Sequence, residues 1–232
     1  MSAAEVWHVD LALDPARLDL CRTVLDGPES DRADRFLRAE DRARYVASHA
    51  ALRLIIATAL DLDPAEVRVA PGPGGKPELA GADRGRLAFN LSHSGDRAMV
   101  GLTPGVAVGV DIEARRPMPD ADRIARTHFA PDEADALAAL PPDAVGSAFF
   151  GLWTRKEAVV KALGTGLSLP LDRFSVTVPP APPRLLRLER GGAWTLVTVD
   201  PGPGYAATVA VRSDAVPITC HVLPADWPDR LL

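Results

Sequence analysis

One order of elements occurs twice along this chain: helix, loop, strand, turn, strand. In the first round, SDRADRFLRAEDRARYVASHAALRLIIATALDLDP reads as one long helix. Tyr45, Leu52, Ile56 and Ala59 recur at helical spacing and Asp63-Pro64 stops the pattern. The turn-rich APGPGGKPELAG follows. Leu87, Phe89 and Leu91 then alternate as in a strand, and RAMVGLT returns after the turn at Ser94-Gly95-Asp96. In the second round, SAFFGLWTRKEAVVKALG is helical and the WTLVTV and YAATVAV segments are strands. The repeat predicts an α+β fold: two similar halves related by a pseudo-twofold axis, meeting near Thr103 to Val108. Their bounds are 1–105 and 106–232, the second with a C-terminal extension. A strand from Val6 to Leu13 precedes the first round. GVAVGVDIE, as a strand, and DADRIARTHFAPDEADALAAL, as two helical pieces broken near Pro131, open the second.

A chain of 232 residues, 47% hydrophobic, buries a core without disulfides or structural metal. Its two cysteines, Cys21 and Cys220, have no zinc-ligand spacing, and two free thiols in a reducing compartment are the simplest reading. A net charge of −5 argues against wholesale attraction to nucleic acid or anionic membrane. MSAAEVWHVDLALDP has no basic-then-apolar signal pattern, and no apolar run approaches the ~20 residues of a membrane span. The expectation is a cytoplasmic protein.

In GVDIE, Asp111 and Glu113 share one face of a strand, roughly 7 Å apart. Ala107 and Gly109 precede them on that face and leave room for something bulky. Two carboxylates beside open space suit a hard cation such as magnesium, which takes one or two protein carboxylates. A half-buried strand whose wet face ends in acids is the commoner origin of the pattern. On the WTRKEAVVKALG helix, Glu157 lies one turn from both Trp153 and Lys161. Alone, that is a surface ion pair. The apolar residues on several sides of this helix imply packing on more than one face, so its charges need partners. A metal for the acid and a phosphate for the lysine would supply them.

Two further stretches carry polar chemistry. FNLSHSG places Ser92, His93 and Ser94 at a strand end, and PGPGGKPEL carries Lys76 on a glycine-proline loop. The latter is not a P-loop, because Pro77 stands where Ser or Thr would hold magnesium. No GxGxxG or GxSxG occurs. Arg32, Arg35, Arg38, Arg42 and Arg44 crowd the start of the first long helix, with one or two free to grip phosphate.

The order GKP, FNLSHSG, GVDIE, WTRKEAVVKALGTGLSLP resembles the 4′-phosphopantetheinyl transferases, in the long two-half form that serves peptide and polyketide synthases. The resemblance implies an active site in the cleft between the halves. It implies an enzyme that moves the phosphopantetheine arm of coenzyme A to a serine of an apo acyl or peptidyl carrier protein, releasing 3′,5′-ADP. By resemblance, Asp111, Glu113 and Glu157 hold Mg2+, and Glu157 or a water on a metal carboxylate takes the serine proton. Lys161 contacts the pyrophosphate, with Lys156 nearby. Ser92 and His93 bind coenzyme A, His93 through the 3′-phosphate. Lys76 and Pro77 lie beside the adenine, and Arg44 near the nucleotide phosphates. Glu133 assists the metal site. Where members of the family carry a lysine pair ahead of the RF motif, this chain has Glu29 and Arg32, and only Arg32 suits a phosphate. Arg115, Arg116 and the loop from Gly164 to Leu169 are the candidate carrier-docking surface, and a monomer suffices because one chain builds the whole cleft. The competing readings are another Mg-dependent transferase acting on a nucleotide and an inactive module that binds coenzyme A or a carrier protein.

Overall fold

The computed structural model describes residues 3–189 and 191–231, the side chain of Leu167 excepted. The first strand, β1 (Ala4–Asp10), is followed by α1 (Pro15–Thr23) and α2 (Gly27–Asp34). A reciprocal cap starts α2: Asp26 accepts from the Glu29 amide, and Glu29 accepts from the Asp26 amide. The helix predicted through residues 30–64 is in fact α2 and a separate α3 (Ala39–Leu60). Phe36 breaks it by turning inward onto Tyr45, with ring centroids 5.3 Å apart. Arg42 donates to the Phe36 carbonyl, and Arg38 is extended. Next come the hairpin β2 (Val69–Pro71) and β3 (Pro77–Leu79), then β4 (Ala88–Ser94) and β5 (Arg97–Thr103).

The second round opens with β6 (Val108–Ala114), α4 (Ala121–His128), α5 (Pro131–Ala138) and the long α6 (Pro142–Leu163). Gly164, at φ 70°, ends α6 in the left-handed conformation that glycine adopts without strain. The short β7 (Ser175–Val176) and β8 (Leu185–Arg187) pair with each other. β9 (Thr195–Thr198), β10 (Tyr205–Val211) and β11 (Ile218–Val222) complete the strands, and Trp227–Leu231 form a last 3-10 turn.

One sheet has the order β11-β1-β5-β4 and the other β6-β10-β9. β1 pairs antiparallel with β5, and β6 pairs antiparallel with β10 in the equivalent place. The two sheets face each other across a core that includes Val6, Met99, Val110, Ile112 and Val209. α3 packs on the far side of the first sheet and α6 on the far side of the second. The tail departs from a simple two-half division. β11 returns to pair in parallel with β1, and Trp227 and Leu231 are buried in the first core. Residues 218–231 therefore pack with the first lobe.

The room read on the Gly109 face is filled by protein. A Cβ on Gly109 would run into the Ala158 carbonyl and the Ala162 amide nitrogen of α6. The missing side chain lets the helix backbone lie directly on β6. Gly109→Ala should therefore lower unfolding free energy by about 1–3 kcal/mol, as overpacking does. Urea denaturation measures it, and a loss within 0.5 kcal/mol, roughly that of a neutral surface change, would contradict the close approach.

Candidate active site

The contact at Gly109 fixes which residues of α6 meet the carboxylates of β6. Asp111 is two residues on, and Lys161 of α6 reaches it with Nζ 2.5 Å from Oδ1. Lys161 thus pairs with Asp111 on the strand, and not with Glu157 one turn back on its own helix. Ser92 of β4 closes the group. Its hydroxyl donates to Asp111 Oδ1 at 3.1 Å and accepts from Lys161 Nζ at 2.9 Å and from the Ile112 amide at 3.3 Å. One hydrogen and two lone pairs are all a serine hydroxyl has, so Ser92 is fully committed within the protein. It forms the floor of the site.

Asp111 is 3% exposed. Burial pushes its carboxyl up to about 7; Lys161 opposes the rise, and the charges of Glu113 and Glu157 add to it. Asp111 and Glu113 are two residues apart on β6, against which α6, the helix of Glu157, packs. Glu157 is also raised by burial, against the pull of Lys161. Glu113 accepts from Ser94 at 2.9 Å. Asp111 Oδ2 is buried without a hydrogen-bond partner. Oxygen donors with one orphaned carboxylate oxygen fit a hard divalent cation in kind. Among the described residues, however, no three acid, histidine or cysteine side chains converge closely enough to hold one.

Above this floor opens a cleft of about 710 Å³ between the lobes. Glu157, Lys161 and Trp153 line it from α6, Asn90 from β4, and Lys76 and Pro77 from the β2–β3 loop. Gly164, Gly166, Leu169 and Pro170 of the loop after α6 line it too. The Lys76 ammonium is not free for a ligand: it donates to the Val108 carbonyl at 2.8 Å and the Ala162 carbonyl at 3.3 Å. Burial lowers its pKa to about 8. Lys76 therefore bolts the first lobe to the end of α6, and only its stem and Pro77 face the cleft.

Arg32, Arg44 and His93 stand outside the lining of this cleft. Arg44 binds Asp96 at 2.9 Å, and Arg32 lies over the Tyr45 ring, 5.6 Å from its centroid. His93 follows Ser92 on β4 and so adjoins the site; desolvation and the charges of Lys161 and Arg44 hold it below the usual imidazole range.

Two residues expected at the site are elsewhere. Lys156 is 0% exposed and paired with Glu133 at 2.5 Å, inside the second lobe. Its ammonium also donates to the Phe174 carbonyl and lies 4.1 Å from that ring's centroid. Glu133 is engaged at both carboxylate oxygens by Lys156 and by the amides of Ala130 and Val176, inside the second lobe. Adjacent helical residues point about 100° apart, so Lys156 faces inward where Glu157 faces the cleft. Glu29, too, is internal, bound to buried Arg53 at 2.7 Å. Asn90 carries no role in the sequence analysis, and Ser94 is placed there at the strand end without one. Their signal was the two-residue repeat Asn90, Ser92, Ser94 along β4.

Comparison with known proteins agrees with the lobes. Residues 107–210 match a family model described as the 4'-phosphopantetheinyl transferase superfamily, and residues 14–104 one described as 4'-phosphopantetheinyl transferase, N-terminal. The 4'-phosphopantetheinyl transferase HetI of a Nostoc species is 33% identical over 208 residues, 89% of this chain and 86% of its own. A Bacillus subtilis 4'-phosphopantetheinyl transferase is 34% identical over 73% of each chain. The chain belongs to the 4′-phosphopantetheinyl transferase family. It is of the long type: the B. subtilis transferase Sfp is 28% identical across 97% of this chain and 93% of its own. Among the transferase's described residues, no helix is long and apolar enough to cross a membrane, and both cysteines are free.

Two stability measurements separate the charged groups. In the folded transferase Asp111 ionises only near 7, against an ordinary value near 4, so its ionised burial costs stability above that range. The cost fades as pH falls from about 7 to 4, where the folded carboxyl keeps its proton. Metal-free Asp111→Asn should be more stable than the parent by about 1–3 kcal/mol at pH 8, with the advantage vanishing near pH 4. A parent that is the more stable of the two at pH 8 would contradict this. Lys156→Met strands the Glu133 charge and should cost about 3–5 kcal/mol. Chemical denaturation reads both.

Proposed function

We propose that this transferase moves the 4′-phosphopantetheine arm of coenzyme A onto a serine hydroxyl of an apo acyl or peptidyl carrier protein, depends on magnesium, and releases 3′,5′-ADP. The observation that carries the reading is the Lys161 ammonium, held by Asp111 and Ser92 beneath a cleft that Glu157 lines. A fixed cation and a carboxylate with raised proton affinity, side by side at one cleft, are what a phosphoryl transfer to a hydroxyl needs.

Asp111, Glu113 and Glu157 do not close a three-ligand site by themselves; with waters and coenzyme A phosphates completing the shell they would hold the magnesium ion, which supplies positive charge for the phosphoryl oxygens when bound. The rest falls to the chain. Lys161 faces the cleft and neutralises charge that builds as the pyrophosphate linkage opens. Glu157 takes the proton of the carrier serine. Its oxygen bonds to the phosphorus bearing the arm, and 3′,5′-ADP departs with the electron pair of the broken phosphorus–oxygen bond. Burial keeps Glu157 a better base than an exposed carboxylate. Asp111 and Ser92 hold Lys161 at one point, so little reorganisation accompanies the transfer. Pro77 and the Lys76 stem wall the side proposed for the adenine. His93, Arg44 and Arg32, outside the cleft lining, would serve the 3′-phosphate. The enzyme is read as a cytoplasmic monomer.

Intact mass of an apo carrier protein, incubated with the chain, Mg2+ and coenzyme A, tests the activity. One phosphopantetheine arm should be added per carrier serine. Carriers left unmodified by a chain that binds coenzyme A would favour the inactive module. Consumption of a nucleoside triphosphate without coenzyme A would favour a different nucleotide-dependent transferase. Lys161→Ala should lower kcat by about a hundredfold with little change in KM for coenzyme A, as loss of a transition-state contact does. A raised KM at unchanged kcat would contradict its role.

A further inference from the structure

β4 and β6 lie side by side where the lobes meet, yet they belong to different sheets. Side chains take over the join. Asn90 Oδ1 accepts from the Val110 amide at 2.8 Å, Ser92 Oγ from Ile112 at 3.3 Å and Ser94 Oγ from Ala114 at 3.1 Å. Residues two apart on one strand thereby meet amides two apart on the other, which fixes a single register. Ser94 has a second contact within the same hydroxyl: its hydrogen goes to Glu113 Oε2 at 2.9 Å.

We propose that Ser94 is a positioning residue that holds Glu113 beside Asp111 on β6, ready to ligate a divalent cation. The inference rests on the reading of Asp111, Glu113 and Glu157 as the ligands of that cation. Its physical content is a competition. The Glu113 side chain is 26% exposed and has three torsions to fix. The other group near its Oε2 is the exposed guanidinium of Arg116, at 4.0 Å and three residues further along the chain. Ser94 binds both the Glu113 carboxylate and the amide of the residue after it. Oε2 is thus tied at the seam and Oε1 is left as the oxygen to offer. Without the hydroxyl, Glu113 is released to solvent and to Arg116. Groups that orient a metal-binding carboxylate in this way typically control affinity by ten- to a hundredfold.

The test is Mn2+ binding by the metal-free full-length chain without coenzyme A, followed by electron paramagnetic resonance or calorimetry. Ser94→Ala should bind Mn2+ about ten- to a hundredfold more weakly, and Ser94→Thr, which keeps the hydroxyl, should restore the affinity. With Mn2+ saturating, Ser94→Ala should recover most of the parent's kcat, because the acid itself is still present. Ser94→Cys, similar in volume but a weaker donor, supplies the same comparison where Ser94→Ala fails to fold. A role confined to stability would lower the melting temperature and leave Mn2+ affinity alone, and that result overturns the inference while the metal reading stands. A parent chain that takes up no Mn2+ overturns both.

Discussion

The site depends on a helix lying with its backbone against a strand. Gly109 carries no side chain, so α6 sits directly on β6, with Ala158 and Ala162 at the contact. Any larger residue would lift the helix. The consequence is local and electrostatic. Asp111, one step along the same face, comes within 2.5 Å of the Lys161 ammonium. A buried carboxylate without such a partner would keep its proton or move to solvent. The apolar face of β6, built from Val108, Val110 and Ile112, supplies the opposing anchor, since it is clamped between the two sheets. Helix and strand are therefore each held from behind, and the ion pair is what faces the join.

The same logic explains how two lobes act as one body. Apolar side chains of both sheets share the core between them, and beneath the cleft polar groups cross the boundary as well. The Asn90–Ser92–Ser94 series satisfies amides of β6 that no neighbouring strand pairs. Lys76 satisfies carbonyls of β6 and of the end of α6. These are groups that would otherwise be left buried and unpaired. Each contact serves backbone of the second lobe with a side chain of the first, so the seam adds specificity of register to the apolar packing between the sheets. The tail adds a tie in the other direction, with β11 and Trp227 returning to the first lobe.

Much of this was legible in the sequence, for reasons that differ by residue. The two-residue period of GVDIE put Asp111 and Glu113 on one face, and the structure keeps them there, because one side of β6 is apolar throughout. The helical spacing of Trp153, Glu157 and Lys161 was readable in the same way. Lys156 was misjudged because adjacency in sequence means divergence on a helix. Its neighbour faces the cleft, while its own ammonium is sealed with Glu133. The family resemblance implies a place beside the adenine for Lys76, but its loop is close enough to α6 for the ammonium to find carbonyls first. The break at Phe36 and the return of β11 are tertiary facts. Periodicity carries no information about which core an aromatic or a tail will enter.

The contrast between the two lysines of the KEA helix bears on what the site can do. Lys156 is enclosed with an acid that three donors already satisfy, so its charge is spent on the fold. Lys161 is 29% exposed at its side chain, and its partner keeps one oxygen without any hydrogen bond. The pair thus leaves the ammonium partly open to the cleft and one buried carboxylate oxygen unpaired. On the proposed function, the ammonium would face an incoming phosphate while Asp111 and Ser92 hold it, and the unpaired oxygen would meet a cation. Such ligands would account for a carboxylate whose ionisation is displaced to about 7. Supplying the missing charges would relieve its cost, so the arrangement would favour the occupied state over the bare one.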